Sequence, residues 1–417
     1  MTLANRPPVD DLDAAVYVHF PYCAHRCAYC DFNAHAIEHD DRAYADAVIA
    51  EIDHRGSQLA APDGLRSIFF GGGTPSRWAP TEVGRVIRHL EETFGFRPNI
   101  EITLEANPGT VAQARFEGFV DAGINRFSIG VQSLIDRELT ALGRIHDAAA
   151  AEAAVITAVR MGARVSLDLM YGFPGQKWSD VRTTIDRALD LGTEHISAYA
   201  LTVEPTTVLG RQAAIGRFIP MPDDEQADLM ERVHDHMNAS GLYRYEVSNF
   251  ARPDAPSIHN CLYWMGGAYL GVGAGAHSYL PKRDLTAAQR RENSRAPAAY
   301  LRSITERAFA CTFEEHLDRR QILVDRLLTA MRVRWGLDLE ALDARFDACG
   351  AIAAHLSAEM KQLEADGLVM FQEGRYRPTA RGFLFNDSIA RRLCGRLDTP
   401  ADPLATSTSW LSLDSPI

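Results

Sequence analysis

Six alternating pairs of short apolar segments and amphipathic segments constrain the fold of this chain most strongly. The predicted strands begin with the run at Tyr17 and continue as Leu65–Phe70, Ile100–Glu105, Arg126–Gln132, Arg164–Met170 and His195–Leu201. Apolar residues at helical spacing predict helices over Asp41–Leu59, Thr81–Phe94, Val111–Ala122, Ala148–Met161, Ser179–Leu191 and Asp223–Ala239. Repeated βα units predict a parallel sheet with helices outside, and the strands are expected to be apolar on both faces. Periodicity alone leaves open a doubly wound sheet and a partial barrel.

Polar residues and glycines cluster at the ends of these predicted strands. They are Cys23–Cys30, Gly71–Pro75, Glu105, Asn107, Gln132, Asp168 and Tyr199. In parallel α/β sheets, ligands bind at the carboxyl ends of the strands. We therefore expect these residues to meet at one mouth.

Three cysteines follow the first predicted strand as C-x3-C-x2-C, at Cys23, Cys27 and Cys30. Thiolate sulfur favours zinc, copper or iron–sulfur clusters. A zinc site would need a fourth ligand, for which His25, His35 and His39 are the nearby candidates. No fourth cysteine follows before Cys261, so the spacing favours a four-iron cluster held at three corners with one iron open.

The segments YVHFPYC and CAYCDFN, followed by GGGTP at residues 71–75, resemble the radical S-adenosylmethionine (radical SAM) enzymes. More narrowly, they look like the oxygen-independent coproporphyrinogen III oxidase family and its haem-chaperone branch. The resemblance implies a 4Fe–4S cluster, S-adenosylmethionine and a partial (β/α)6 barrel with a small α+β, winged-helix-like C-terminal domain. On its own, GGG would be interpreted as a tight turn.

The resemblance also implies cofactor contacts. Tyr17, Gly72 and Glu105 correspond to contacts of the S-adenosylmethionine on the cluster. Residues that correspond to a second S-adenosylmethionine site in the oxidases are Tyr29, Gly73, Thr74, Gln132, Arg144 and Asp168. The alternative is structural: the two carboxylates would make local hydrogen bonds, and Arg144 would be a surface ion-pair residue. Arg26, between the cysteines, places a cation beside an anionic cluster.

Two features distinguish the branches. The decarboxylating oxidases carry a fourth cysteine two residues after the third, where this chain has Phe32, and they usually have more than the 22 residues that precede Cys23 here. Residues 259–264, HNCLYW, match the HNxxYW signature of the chaperone branch, which makes His259 the leading haem contact. His277 and Cys261 are competing ligands, and a buried core histidine is the structural alternative.

The expected function is a haem chaperone; the alternative is oxidation of coproporphyrinogen III, and whether S-adenosylmethionine is cleaved stays open.

The domain organisation is expected to comprise four segments. They are a barrel with the cluster loop over residues 1–240, an aromatic and glycine-rich extension over 241–310 that ends in a basic loop, a C-terminal domain over 311–396, and a disordered tail over 397–417. Helices over 320–332, 338–346 and 351–366, followed by a hairpin at 368–377, predict the winged-helix-like domain.

Composition bounds the partners. A formal net charge of −12 disfavours nucleic acid, and no apolar run reaches the ~20 residues that span a bilayer. The seven cysteines do not form an even set for disulfide pairing, which fits a reducing compartment. The N-terminus lacks a signal-peptide pattern, so we expect a cytoplasmic protein. The expected partners are haem and haem-acceptor proteins such as respiratory enzymes.

Overall fold

The computed structural model describes residues 6–110, 113–307 and 310–397. The chain forms two compact units. The first comprises the chain up to Pro281 together with Gln289–His316, and the second comprises Lys282–Ala288 and the chain from Leu317 onward.

Six parallel strands form the centre of the first unit, and neighbours in the sheet are also neighbours in sequence. The strands are β1 (Ala14–Phe20), β2 (Leu65–Gly72), β3 (Phe96–Ala106), β4 (Arg126–Gln132), β5 (Arg164–Tyr171) and β6 (His195–Ala200). Their order confirms the predicted run of βα units. In the register of β1 and β2, Phe20 lies opposite Gly72, so the carboxyl ends of both strands finish at the same level.

Eight helices accompany these strands. They are α1 (Asp41–Arg55), α2 (Pro80–Phe94), α3 (Gln113–Asp121), α4 (Asp136–Ala141), α5 (Ala148–Arg160), α6 (Trp178–Asp190), α7 (Val208–Ala214) and α8 (Asp223–Ala239). Local signals set several ends: Asp40 caps α1 through the amides of Arg42 and Ala43, and α2 begins with a proline. The prediction that the first helix continues to Leu59 was wrong, because a 3₁₀ turn replaces it from Gly56. Of the helix predicted from Val111, residues 111 and 112 lie outside the described residues.

The expectation of strands that are apolar on both faces was wrong for β4, β5 and β6. In β4, Phe127, Ile129 and Val131 are fully buried in the core, whereas the alternate residues Arg126, Ser128, Gly130 and Gln132 line an internal cavity. The alternate residues of β6, His195, Ser197 and Tyr199, do the same. Because successive side chains of a strand point to opposite faces, the inner face can be polar where it surrounds a cavity rather than a packed core.

The rest of the first unit contains strands where a loop was predicted. Its elements are β7 (Tyr243–Arg244), β8 (Asn249–Ala251), α9 (Ile258–Trp264), β9 (Ala268–Val272), β10 (His277–Pro281), β11 (Ala287–Asn293), α10 (Pro297–Arg307) and β12 (Cys311–Asp318). The segment read as a basic loop up to residue 310 therefore holds β11 and α10. Strand β9 pairs in parallel with β1 and extends the sheet beyond the six predicted strands.

The second unit contains three helices, a hairpin and two further helices. They are α11 (Arg319–Ala330), α12 (Leu339–Arg345), α13 (Ala351–Ala365), β13 (Val369–Gln372), β14 (Arg375–Pro378), α14 (Ala380–Leu384) and α15 (Asn386–Leu397). The three helices and the hairpin match the prediction. The tail predicted to be disordered lies, beyond residue 397, outside the described residues. Across the described part of the chain, every helix is too short or too polar to cross a bilayer.

Candidate functional site

The cysteine loop leaves the carboxyl end of β1 and is closed at its base by backbone pairing. The amide of Cys23 donates to the carbonyl of His35 at 2.9 Å, and the amide of His35 donates to the carbonyl of Pro21 at 2.7 Å. Within the loop, the amide of Cys30 donates to the carbonyl of Cys27 at 3.2 Å. These bonds hold the cysteines at the end of the strand. The three thiols form no disulfide bonds with one another.

The three thiols lie among cationic and hydrogen-bond donor groups. The hydroxyl of Thr74 donates to Sγ of Cys23 at 3.2 Å, and a guanidinium nitrogen of Arg144 lies 3.6 Å from Sγ of Cys27. Burial raises the pKa of the Cys23 and Cys30 thiols, and the charges of Arg144 and Arg26 respectively oppose that rise. Three soft sulfur donors beside arginines fit an anionic iron–sulfur cluster.

Two of the three histidines proposed as zinc ligands have other contacts, while the third, His25, lines the cavity. His35 Nε2 shares a hydrogen bond with Asn33 Oδ1 at 3.1 Å, and His39 Nε2 lies 3.0 Å from Asp41 Oδ1. Among the residues that the structure describes, no three His, Cys, Asp or Glu side chains converge on a single metal ion. A cluster spaces its sulfur ligands around several iron atoms, so the loop suits a cluster better than zinc.

The glycines after β2 are required by close packing. A Cβ at Gly72, whose φ is +116°, would lie 2.5 Å from the imidazole of His19. A Cβ at Gly73 would lie 2.8 Å from the carbonyl carbon of Pro21, at the start of the cysteine loop. The amide of Gly73 donates to the carbonyl of Phe20, and the amide of Thr74 donates to the carbonyl of Tyr22. The glycine run thus lets the end of β2 lie directly against the base of the cysteine loop.

Two carboxylates face the same cavity from the ends of β3 and β5. Glu105 accepts a hydrogen bond from the amide of Gly72 at 3.0 Å, and Asp168 accepts from the hydroxyl of Ser128 at 3.0 Å. Burial, followed by the charge of Asp168, raises the pKa of Glu105 to about 8. Burial also raises the pKa of Asp168, against hydrogen bonds from Ser197 and Ser128. Without a bound cation, these carboxyl groups resist ionisation, so a positively charged ligand is favoured beside them.

Gln132 and Arg144 hold uncommon positions at this end of the barrel. Gln132 has a φ of +68° where the register between β4 and β5 shifts, and such strain in a non-glycine residue is typical of functional sites. The Arg144 guanidinium donates to the carbonyl of Gly130 at 2.6 Å and to the hydroxyl of Tyr29 at 3.4 Å. Arg144 therefore points into the cavity instead of forming the surface ion pair considered above.

All thirteen predicted site residues line one cavity of about 770 Å³. They are Tyr17, Cys23, Cys27, Tyr29, Cys30, Gly72, Gly73, Thr74, Glu105, Gln132, Arg144, Asp168 and His259. The volume falls within the range of small-molecule sites, roughly 300–1,000 Å³.

Sequence reasoning missed the residues at the inner end of this cavity. Arg126, His195, Asn249 and Asn260 line it there. The alternation of polar residues along β4 and β6 was the available signal for Arg126 and His195. Asn260 belongs to the HNCLYW motif but was not predicted as a site residue, and Asn249 carries no comparable local pattern.

His259 lies on α9, at the end of the cavity near the start of β2. The side chain is 1% exposed, and both ring nitrogens are hydrogen-bonded. Nδ1 shares a bond with Ser67 Oγ at 2.9 Å, and Nε2 shares one with Tyr263 Oη at 2.8 Å. Burial lowers the pKa of His259 to about 3. The imidazole is therefore neutral, and in this arrangement both nitrogens are occupied.

Comparison with known proteins places this chain in a family. Residues 17–188 match the model of the Radical SAM superfamily, and residues 317–385 match the HemN C-terminal domain. The chain is 38% identical to the "Heme chaperone HemW" of Haemophilus influenzae over 69% of this chain and 76% of that protein. It is 33% identical to the "Heme chaperone HemW" of Mycobacterium tuberculosis over 94% of this chain and 98% of that protein. The chain belongs to the HemW family.

The chain is also similar to a protein with a different name and to a solved structure. The zebrafish (Danio rerio) "Radical S-adenosyl methionine domain-containing protein 1, mitochondrial" is 32% identical over 93% of this chain and 88% of its own length. The structure of coproporphyrinogen III oxidase (HemN) from Escherichia coli superposes with a TM-score of 0.76 at 23% identity, covering 93% of this chain and 91% of that chain. That likeness shows that the HemW-family chain has the α/β radical SAM fold with a C-terminal domain. The radical SAM family implies a 4Fe–4S cluster and S-adenosylmethionine.

Proposed function

We propose that the protein is a haem chaperone that binds haem and delivers it to acceptor proteins. The observation that carries this proposal is similarity along almost the whole chain to proteins named heme chaperone HemW, which includes residues on both sides of HNCLYW. Phe32, at the position where the decarboxylating oxidases carry a further cysteine, supports the same choice.

The cysteine loop is the proposed cluster site. Cys23, Cys27 and Cys30 would each bind one iron, and a bound cluster supplies one open iron together with electrons for reduction of a sulfonium. Thr74 donates to the Cys23 sulfur and Arg144 approaches the Cys27 sulfur, so both would stabilise the negative charge of the bound thiolates.

The strand ends around the loop are the proposed S-adenosylmethionine site. Tyr17, Gly72 and Glu105 surround the cavity on the β1–β3 side, and Glu105 is oriented by the amide of Gly72. Glu105 is costly to ionise when no cation is near, so the sulfonium or ammonium group of this ligand would stabilise its charged form. Tyr29, Gly73, Thr74, Gln132, Arg144 and Asp168 line the same cavity and are the candidates for contacts with a second molecule.

His259 remains the leading candidate for a haem contact, and its surroundings define what coordination would require. One of the bonds to Ser67 or Tyr263 must be released before a ring nitrogen can bind iron. The competing ligands differ in access: His277 is exposed, whereas Cys261 is fully buried and burial raises the pKa of its thiol. Coordination by His277 would need no rearrangement of the barrel.

The test is anaerobic reconstitution of the cluster, followed by titration with haem. We expect a stoichiometric change in the Soret band, weakened at least about tenfold in affinity by His259→Ala if the imidazole binds iron. His54→Ala is the matched control, because it removes an exposed imidazole that belongs to the same unit and does not line the cavity. Titration that shows no binding by the reconstituted protein would overturn the chaperone function.

Haem transfer and oxidase activity are measured in the same preparation. The haem-loaded protein should pass haem to an apo form of a respiratory haemoprotein. Incubation with reductant, S-adenosylmethionine and coproporphyrinogen III should yield no protoporphyrinogen. Protoporphyrinogen formation without haem transfer would instead assign the oxidase reaction.

A further inference from the structure

Phe32 lines the cavity, and residues 208–219, a segment bonded to the cysteine loop, carry further exposed apolar side chains. Phe32 is 69% exposed, Val208 45%, Ile215 65% and Ile219 75%. We call these four residues the rim patch. Large apolar side chains that are exposed together typically mark interaction sites.

The rim patch is attached to the cysteine loop by two hydrogen bonds. The amide of Leu209 donates to the carbonyl of Ala28 at 2.9 Å, and the hydroxyl of Thr206 donates to Asp31 Oδ1 at 2.5 Å. Phe32 itself lines the cavity and follows Asp31 directly. The segment that carries Val208, Ile215 and Ile219 is therefore held beside the same loop that presents Phe32.

One face of α7 is anchored, which leaves the other face to solvent. Leu209 packs with Leu142, Phe173 and Leu201 in a small buried cluster, against which Tyr29 and Phe218 also pack. Val208 and Arg211 are exposed on the same helix. Because Leu209 is packed in the core, Val208 and Arg211 on the same helix are left facing solvent.

Two arginines accompany the aliphatic side chains of this segment. Arg211 is exposed and donates to the carbonyl of Thr206 at 2.7 Å, and Arg217, between Ile215 and Ile219, is also exposed. Guanidinium groups bind carboxylates through paired hydrogen bonds. An aromatic ring, aliphatic side chains and arginines together suit a flat, apolar ligand with carboxylate groups at its edge.

The inner cavity is less suited to such a ligand. The cysteines and the proposed S-adenosylmethionine contacts line the same cavity of about 770 Å³, so those groups would occupy much of it. At its inner end, His259 is buried and engaged at both nitrogens. A haem at the mouth would need neither that space nor a rearrangement of α9.

We propose that haem docks on the rim patch, with its ring against Phe32 and the aliphatic residues and its propionates toward Arg211 and Arg217. This inference rests on the proposed haem-chaperone function, and it holds haem on the rim patch instead of at His259, the leading contact named above. Docking at the mouth places the ligand where an acceptor protein can reach it.

The test compares haem titrations of the reconstituted full-length protein and two double variants. Ile215→Ser with Ile219→Ser should weaken haem binding roughly tenfold or more, because two apolar contacts are lost. The control, Leu12→Ser with Met370→Ser, removes two exposed apolar side chains that lie outside the rim patch, and its affinity should equal that of the unmodified protein. Iron content and circular dichroism verify that each variant is folded and loaded.

A second pair of titrations tests the arginines. Arg217→Ala should weaken haem binding roughly threefold to tenfold, and it should leave the binding of haem dimethyl ester unchanged, because the ester lacks the carboxylates. An equal loss for both ligands would contradict the proposed orientation.

The outcomes separate the two proposals. If the unmodified protein binds haem and the rim variants bind it equally well, the docking inference fails while the chaperone function stands. If the rim variants bind haem normally but transfer it slowly, the rim patch contacts the acceptor protein, and the docking inference is again overturned. Failure of the unmodified protein to bind haem would overturn both.

Discussion

The two ends of the barrel cavity differ in how their polar groups are satisfied. At the inner end, the amide of His259 donates to Glu101 Oε1 at 3.0 Å, its ring is bonded at both nitrogens, and Asn260 donates to the hydroxyl of Tyr245 at 3.2 Å. At the mouth, thiols lie beside guanidinium groups, and Arg144 Nε is buried without a hydrogen-bond acceptor in the described residues.

This difference indicates that the inner end of the cavity stabilises the fold, whereas the mouth is suited to binding a ligand. Buried polar groups are stable when every donor and acceptor is paired, as at α9. Groups left short of bonds at the mouth gain them when a cofactor binds. The HNCLYW motif therefore contributes to the stability of the ligand-free barrel whether or not it also contacts haem, whereas the unpaired groups at the mouth would gain partners only from a bound ligand.

The largest expected effect is the loss of the iron–sulfur cluster at the cavity mouth. Changing Cys23, Cys27 or Cys30 to Ala should abolish cluster assembly, because each removes one of three sulfur ligands. Anaerobic reconstitution followed by iron analysis and electron paramagnetic resonance of the reduced protein measures this loss. Cys349→Ser, an exposed cysteine in the second unit, is the control and should retain the full signal. A normal cluster signal in any of the three variants would remove the basis of the site.

A smaller effect tests the inner end. His259→Ala should destabilise the haem-free protein by roughly 2–4 kcal/mol, because it removes a buried side chain and leaves Ser67 and Tyr263 without a bonded neighbour. The midpoint of urea unfolding, followed by a signal from the first unit, measures the loss. His277→Ala should shift that midpoint little, since surface substitutions usually cost within about 0.5 kcal/mol.

The variant Ser67→Ala makes this test sharper. It removes one hydrogen bond to the ring but keeps the imidazole, so it should cost less stability than His259→Ala. It should also retain haem binding if iron is coordinated by His259. Equal midpoints for the unmodified protein and His259→Ala would show that the bonded network does not stabilise the barrel.

Local patterns predicted much of the fold and of the mouth. Strand β4 and helix α8 have the predicted boundaries, and the strand-end rule correctly predicted that Glu105, Gln132 and Asp168 would meet at one cavity. Helices α4 and α7 were missed because six or seven residues give too little periodicity. Strand β11 was read as a loop because its arginines obscure the strand pattern, and they are paired with Glu314 and Glu315 in the fold.

The surroundings of His259 could not have been predicted from the sequence. Ser67 lies 192 positions earlier in the chain, and only the closure of the barrel brings it to the ring. The glycine run shows a related limit. The GGG motif indicates that another part of the chain comes close, but no local pattern identifies His19 and the base of the cysteine loop as that part. Such contacts depend on tertiary register rather than on local residue type.

The smallest expected effect concerns the pH dependence of the cluster-free protein. The pKa of Glu105 is about 8 in the folded protein and its ordinary value is 4.5, so the folded state retains a proton that the unfolded chain releases between these values. Stability associated with this group is present below about pH 4.5 and is lost as the pH rises toward 8. Glu105→Gln should therefore flatten the fall in the urea midpoint over this range, while Gly72 can still donate to the amide oxygen. Glu91→Gln, on the exposed face of α2, should keep the slope of the unmodified protein. If Glu105→Gln also keeps that slope, burial at the mouth does not hold the carboxyl group protonated, and the contrast between the two ends of the cavity is weaker than the geometry indicates.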